Sequence, residues 1–343
     1  MVLGGLGGRR AGRAGWGLVT RRVLVTGSSG FIGTNVLDHC LAQDDVAVLG
    51  VDLRPPRREP HREHWVQADV TRPHALLGLM KDFAPTALVH LAGEVDQGGR
   101  SMGDYAVNVD GVVAALDAAE RYGGLHRAVW ASSRLVCDLG VQPVCDYDYA
   151  PPNFYARSKV IAEQVVRSRG GVPSVIVRPT SIWGPWGEEP YKAFFVALAR
   201  GTYVHPRGDR TLKHYGYVGN TAHQLLRLLE APGDQVVGRT LYLADPAPIE
   251  VGAFAAMIRR RMGLPPPRTV PPVLLRGVAL AGDLLSRTGR RAPLTSDRLA
   301  HLRTPMLFDL EPLARVTGAP RYTVEEGIDA TIRHLREQGD IRP

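Results

Sequence analysis

A tyrosine and a lysine four residues apart, Tyr155-Ala-Arg-Ser-Lys159, are the residues of this chain best spaced to move a proton. At i and i+4 of a helix their side chains share one face, so phenol and ammonium reach the same cleft. A phenol ordinarily titrates near ~10 and is a weak base at neutral pH. A fixed positive charge beside it favours the phenolate, so Lys159 is expected to lower the Tyr155 pKa. Ser133, at the end of an apolar run over 127–132, is suited to hold a substrate hydroxyl and relay its proton. The trio suits removal of a proton from a carbinol while a hydride departs to an acceptor.

The acceptor is implied by Val23-Leu24-Val25-Thr26-Gly27-Ser28-Ser29-Gly30-Phe31-Ile32-Gly33. A short strand feeds three glycines: Gly27 for the tight turn, Gly30 for approach to a pyrophosphate, Gly33 for close helix–strand packing. The helix opening at Phe31 and Ile32 offers unpaired N–H groups and a partial positive charge to phosphates. Asp52 closes the next apolar run, 46–51, nineteen residues after Gly33, where a carboxylate meets the adenosine ribose hydroxyls. Turn and acid together predict a dinucleotide site, with nicotinamide as hydride carrier. Asp52 repels a 2′-phosphate, which favours NAD, and Leu53 and Arg54 complete that side of the site. Arg54, Arg57 and Arg58 nevertheless follow closely, and arginines here can accept NADP.

The elements that must position these groups alternate. Strands are expected at 23–26, 46–51, 65–67, 87–91, 127–132 and 174–178, and helices at 31–43, 73–83, 104–122 and 153–170. That alternation implies an α/β doubly wound parallel sheet, which binds ligands beyond the carboxyl ends of its strands. Asp52, Asp69, Gly93, Ser133 and Pro179 all fall at such ends. Residues 22–180 are read as a dinucleotide-binding domain. Residues 181–343, with expected helices at 191–200, 219–231, 251–262 and 272–287, are read as a smaller, mainly helical substrate lobe partly interleaved with it.

Composition narrows the class. Apolar content of 44% and charged content of 22% are those of a globular protein. The net charge of +8 favours an anionic substrate or a phosphate-rich cofactor. No basic helix or aromatic-interleaved patch supports nucleic-acid binding, and neither His205 nor His214 has a metal-ligand spacing partner, so neither nucleic acid nor a metal is expected. Three cysteines fit a reducing cytosol rather than a disulfide framework. Residues 1–21, rich in glycine and arginine without an apolar core, read as a disordered extension rather than a signal peptide. No apolar run is long enough to span a membrane. Val273 to Leu285 is apolar but interrupted by Arg276 and Asp283. It reads as a packed amphipathic helix, with a membrane-surface contact as the other reading.

Taken together these motifs resemble an extended short-chain dehydrogenase/reductase of the NAD-dependent epimerase/dehydratase family. The resemblance spans about 23–335 and rests on the glycine turn, Asp52, Asp69-Val70, His90-Leu91-Ala92-Gly93, Asn108 in V-N-V-D-G, Ser132-Ser133, Tyr155/Lys159, Arg178-Pro179 and Glu325-Glu326-Gly327-Ile328. It implies that Asp69 and Val70 face the adenine, and that Leu91, Ala92, Gly93 and Asn108 line the cofactor. It further implies that Lys159 bonds the nicotinamide ribose, and that Pro179 and its successors meet the carboxamide. The helices over 104–122 and 153–170 would form a homodimer.

Two departures bear on the reaction. Dehydratases of the family carry an Asp-Glu pair after the catalytic hydroxyl residue, and this chain has Arg134-Leu135 there, which argues against dehydration. In the substrate loop Ser181 replaces an asparagine, and Lys213-His214-Tyr215-Gly216-Tyr217-Val218-Gly219-Asn220 replaces Arg-Asp-Phe-x-x-Val-Asp-Asp. Lys213 in place of arginine still offers phosphate a charge, as a point rather than a fork. Glu94, Arg134, Ser181, Lys213 and Tyr217 are the candidate substrate contacts. The leading expectation is a cytoplasmic NAD-dependent epimerase of a nucleotide-activated sugar. The other is a net dehydrogenase or reductase of a sterol-like or secondary-metabolite carbonyl.

Overall fold

The computed structural model describes residues 21–141, 143–287 and 294–342. Most of the expected extension, residues 1–20, lies outside them. Arg21, counted with that extension from sequence, instead opens the first strand and pairs with Val46.

The strands in chain order are β1 (Arg21–Thr26), β2 (Val46–Asp52), β3 (Trp65–Gln67), β4 (Ala87–His90), β5 (Arg127–Ala131), β6 (Ser174–Pro179), β7 (Ser181–Trp183), β8 (Val204–Pro206), β9 (Leu212–Lys213), β10 (Tyr215–Tyr217), β11 (Thr240–Leu243), β12 (Ile249–Glu250) and β13 (Arg268–Val270). Seven of them form one parallel sheet in the order β11-β6-β5-β4-β1-β2-β3. Strand order reverses between β1 and β4, which is where doubly wound sheets open a ligand crevice.

The helices are α1 (Phe31–Leu41), α2 (Pro73–Phe83), α3 (Ala106–Tyr122), α4 (Phe154–Ser168), α5 (Tyr191–Ala199), α6 (Val218–Glu230), α7 (Gly233–Val236), α8 (Val251–Arg261), α9 (Pro272–Arg287), α10 (Ser296–Arg303), α11 (Glu311–Thr317) and α12 (Val324–Glu337). The middles of the central strands β1, β2, β4, β5 and β6 are largely apolar because both faces of the sheet are covered. Val23 and Val25 pack with α1 and α6 on one face, whereas Leu24 packs with α2 and α3 on the other.

Some element bounds differ from expectation for local reasons. The helix expected from 104 starts instead with a 3-10 turn over Met102–Tyr105, because Asp104 accepts the backbone N–H groups of Arg100 and Ser101. The helix expected to reach 43 stops at Leu41, where the Gln43 N–H turns back to the Cys40 carbonyl.

The later half of the chain does two jobs. Its α6 leucines and Leu313 of α11 close one face of the sheet, and β11 lies alongside β6. Its remaining part has a separate aromatic core centred on the fully buried Trp183, with Phe195, Phe254, Tyr215 and Tyr217 around it.

Candidate active site

The crevice begins where β1 runs out at Thr26. Gly27 takes φ of +70°, a conformation that side chains disfavour, and a Cβ there would lie 2.7 Å from the Ala92 backbone nitrogen. A Cβ on Gly33 would lie 2.1 Å from the Gly27 carbonyl oxygen, so the first turn of α1 rests directly on the loop. No side chain caps α1 and no acid stands in its first turn, which leaves Phe31, Ile32 and Gly33 presenting their N–H groups. An uncapped helix end over a glycine cradle fits a pyrophosphate.

Asp52 ends β2, buried. Its Oδ2 accepts the Ser29 N–H at 3.0 Å and its Oδ1 accepts the Arg54 N–H at 2.9 Å. The carboxylate thus fixes the glycine turn. Leu53 and the Arg54 side chain are exposed beside it. Arg57 is committed elsewhere: its guanidinium donates to the Ser29 carbonyl at 2.8 Å and the Trp186 carbonyl at 3.1 Å, and pairs with Glu188. Asn35 donates to the Pro185 carbonyl at 3.1 Å, so the 184–188 segment is strapped across the start of α1. Arg58 pairs with Asp38 at 2.6 Å.

On the far side of the switch point, Asp69 accepts from the Thr71 N–H and hydroxyl, and those hydrogen bonds hold its pKa down. Val70 is buried against Gly111. Leu91, Ala92 and Gly93 follow β4. A Cβ on Gly93 would meet Asn108 Oδ1 at 2.5 Å and Lys159 Nζ at 3.3 Å. Buried Asn108 accepts the Glu94 N–H at 2.7 Å and donates to the Glu94 carbonyl and to Ser158 Oγ. It therefore ties the loop after β4 to α4. Glu94 itself is exposed, and its carboxylate accepts the Val95 and Asp96 N–H groups.

Ser133, Tyr155 and Lys159 converge at the end of β5. Ser133 caps a 3-10 turn over Arg134–Val136, and its Oγ accepts the Leu135 N–H at 3.1 Å. Asn153 caps α4 by accepting the Ala156 N–H at 2.9 Å, which sets Tyr155 in the first turn. Tyr155 is buried, edge-on to Tyr105 at 5.9 Å, and its phenol hydrogen-bonds Ser133. Lys159, one turn on, is buried and donates to the Ala131 carbonyl at 3.3 Å.

The expected downward shift of Tyr155 is corrected by this geometry. Burial pushes the phenol above its ordinary value. The groups opposing that shift are the Ser133 hydrogen bond and the Arg134 charge, with no resolved contribution from Lys159. Desolvation also draws the Lys159 ammonium down to about 8, partly countered by Glu163. In this state the ring of buried groups favours a neutral phenol.

Behind the trio lies a network that sequence reading did not find. Buried Glu163 is held fork-to-fork by Arg178, at 2.9 and 2.8 Å, and also accepts from Arg167, Tyr149 and Ser132. Burial acts to raise the Glu163 pKa, but the hydrogen bonds and charges of Arg178 outweigh it and hold the carboxyl low. The available signal was its place four residues after Lys159 on the same helix face. Arg178, read only as part of a motif, is the fully buried partner, and Pro179 pairs in the sheet with Leu243.

On the substrate side, the Arg134 guanidinium makes no hydrogen bond or ion pair among the described residues. Burial lowers its pKa, and Tyr191, Asp138 and Tyr155 lie within its field. Lys213 is buried, its ammonium reaches the His301 carbonyl, and burial together with Arg134 brings it down to about 8. Ser181 bonds Tyr191. Tyr217 sits apart from this group, packed between Trp183 and Tyr322 in the lobe core, with a Cβ on Gly327 only 2.7 Å from its ring.

A glycine-rich crevice at a sheet switch point, opening on a serine–tyrosine–lysine trio, is the architecture of a dinucleotide-dependent enzyme. The model of the NAD dependent epimerase/dehydratase family matches residues 23–244, and the chain belongs to that family. It is an enzyme of that kind. It is 28% identical over 278 residues to a 3 beta-hydroxysteroid dehydrogenase/Delta 5-->4-isomerase of Mycobacterium tuberculosis, covering 74% of this chain and 73% of that one. It is 25% identical over 323 residues to an N-acetyl-alpha-D-glucosaminyl-diphospho-ditrans,octacis-undecaprenol 4-epimerase of Escherichia coli O157:H7, covering 91% and 94%. In fold it is similar to a UDP-glucose 4-epimerase of Thermotoga maritima, with a TM-score of 0.69, 18% identity, and 92% and 99% of the two chains covered.

Proposed function

We propose that this enzyme is an NAD-dependent 4-epimerase-type isomerase of a diphosphate-activated sugar. The observation that carries the reading is the cationic pair at the cleft. Arg134 and Lys213 lie within each other's field beside Tyr155, and Arg134 has no carboxylate partner among the described residues. Two desolvated cations, which Asp138 and Asp209 reach through their fields but without an ion pair, favour an anionic substrate group such as a diphosphate. One of the relatives that span nearly the whole chain is named for a sugar carried on a polyprenyl diphosphate; another is named for a ketoreductase.

A nicotinamide held by the glycine turn and Asp52 would supply reversible hydride acceptance. Every other step falls to the chain. Ser133 holds the substrate hydroxyl, Lys159 with Ser133 steadies Tyr155 as the phenolate, and that phenolate takes the hydroxyl proton and becomes the phenol. The ketone then presents its other face within the cleft, and Tyr155 returns the proton. Asp52 and the pairing of Arg57 and Arg58 with Glu188 and Asp38 support NAD over NADP, because only Arg54 remains to meet a 2′-phosphate. A homodimer through α3 and α4 and a cytoplasmic setting belong to the same proposal.

The test is incubation of the purified protein, without added cofactor, with nucleoside-diphosphate hexoses, followed by chromatography of the sugars. Interconversion of epimers without net NADH is expected. Conversion that stops at a ketone and needs stoichiometric cofactor overturns the reading. A second reading, oxidation of an apolar secondary alcohol, is favoured by the steroid dehydrogenase among the relatives and would register as net NADH absorbance.

A further inference from the structure

Six of the fifteen large hydrophobic side chains exposed among the described residues fall on one element, α9. Leu275 and Ala279 turn inward against Leu299 of α10, with Val204 and Val270 beside them. The opposite side is uncovered: Val273 is 69% exposed, Leu274 59%, Val278 53%, and Leu280 and Leu284 65% each. At the ordinary helical step these side chains, with Gly277 and Ala281, sweep a continuous arc of roughly 160°. A lone surface leucine needs no explanation, but a contiguous apolar arc does.

Charge around the arc points to what covers it. Between Arg259 and Arg303 the sequence holds ten arginines and two aspartates, a surplus equal to the whole chain's net charge of +8. Some of these are spent inside the fold: Arg259 on the Leu198 and Pro265 carbonyls, Arg261 on Asp329, Arg303 on Asp209. Arg268 and Arg276 are not: with Arg207, from outside that stretch, they are exposed around the β8–β13 pair and the flank of α9, with no carboxylate partner among the described residues. The acid of α9, Asp283, accepts from the Ser296 N–H and hydroxyl at the start of α10, and is drawn away from the arc. An apolar helical face bordered by arginines, with its acid tied back, matches the interface of an anionic bilayer. A second protein copy would present the same positive charge to itself.

We propose that α9 seats in the headgroup region of an anionic lipid membrane, lying in its plane. At 16 residues the helix spans about 24 Å, short of the ~30 Å hydrocarbon core, so it rests on the bilayer without crossing. The seat lies on the substrate side of the molecule, because α10, which packs on α9, gives its His301 carbonyl to Lys213 of the cleft. The surface holds whichever sugar or alcohol the enzyme takes, since none of its residues belongs to the cleft.

The test is co-sedimentation of the full chain with extruded vesicles of phosphatidylcholine alone or with phosphatidylglycerol. Pelleting is expected with the anionic vesicles, and it weakens as salt rises. The double substitution Leu280→Asp/Leu284→Asp should reduce partitioning at least ~10-fold. Arg268→Glu/Arg276→Glu should erase the preference for phosphatidylglycerol. Hydrogen exchange of the unaltered protein gives a readout independent of variant folding: protection over 273–285 should rise on vesicle addition. Unchanged exchange there, or no pelleting with anionic vesicles, overturns the proposal. So does a leucine substitution that leaves pelleting intact but halves the mass in solution, which would assign the face to a second copy.

Discussion

Tyr155 meets the solvent poorly and its phenol bonds Ser133, so its role is separable from its packing. Tyr155→Phe should lower kcat by roughly 10² to 10⁴, the range of a lost general acid–base, and leave the unfolding midpoint nearly unchanged. Comparable losses of turnover and stability would instead assign the ring a packing role. Lys159 gives a pH signature. Its proton is present below about 8 and lost above it, so kcat/KM for oxidation should fall on the alkaline side through that value. In Lys159→Arg, whose charge does not titrate, that limb should vanish even though the rate is lower. A limb that persists belongs to another group.

At the scale of elements, α4 carries Tyr155, Lys159 and the buried Glu163 behind them. Glu163→Gln leaves the fully buried Arg178 guanidinium short of its counter-charge. Removing one partner of a buried pair costs about 3–5 kcal/mol, so urea should unfold the variant at markedly lower concentration. A midpoint like that of the unaltered protein would show the pair to be dispensable. What the sequence makes legible follows the same division. Glycines at 27, 30 and 33 and the acid at 52 can be read because each answers a backbone or charge demand within one βα unit. The Glu163–Arg178 fork could not be, because it joins α4 to β6 and only tertiary packing brings the two together. The sign of the Tyr155 shift failed for a related reason. Charge spacing along a helix is visible in a sequence, whereas the depth of burial that outweighs it is not. Tyr217 was legible as part of a loop pattern, but its neighbours Trp183 and Tyr322 come from distant segments.

Across the whole molecule, acid stability has an identifiable contributor. His90 is fully buried at the switch point, its Nδ1 beside Thr26 Oγ1 at 2.9 Å and its Nε2 without a partner among the described residues. Burial brings its pKa down to about 3, against 6.5 for an exposed imidazole. The unfolded chain therefore binds the proton first, and stability present above 6.5 is lost as pH falls toward 3. The loss should amount to a few kcal/mol and flatten in His90→Gln, as read from urea midpoints across that range. A slope unchanged by the substitution would move the effect to other groups. The division expected at residue 180 can also be tried, by expressing 21–180 beside 21–342. The shorter chain lacks α6 and Leu313, which close one face of the sheet, and is expected to aggregate.

The place of β11 beside β6 has a temporal meaning. During synthesis β6 leaves the ribosome well before its outer neighbour exists, and for that interval it is an open template for any passing strand. Residues 240–243 end the exposure, so the last piece of the sheet to be translated is also the one that shields it from other nascent chains.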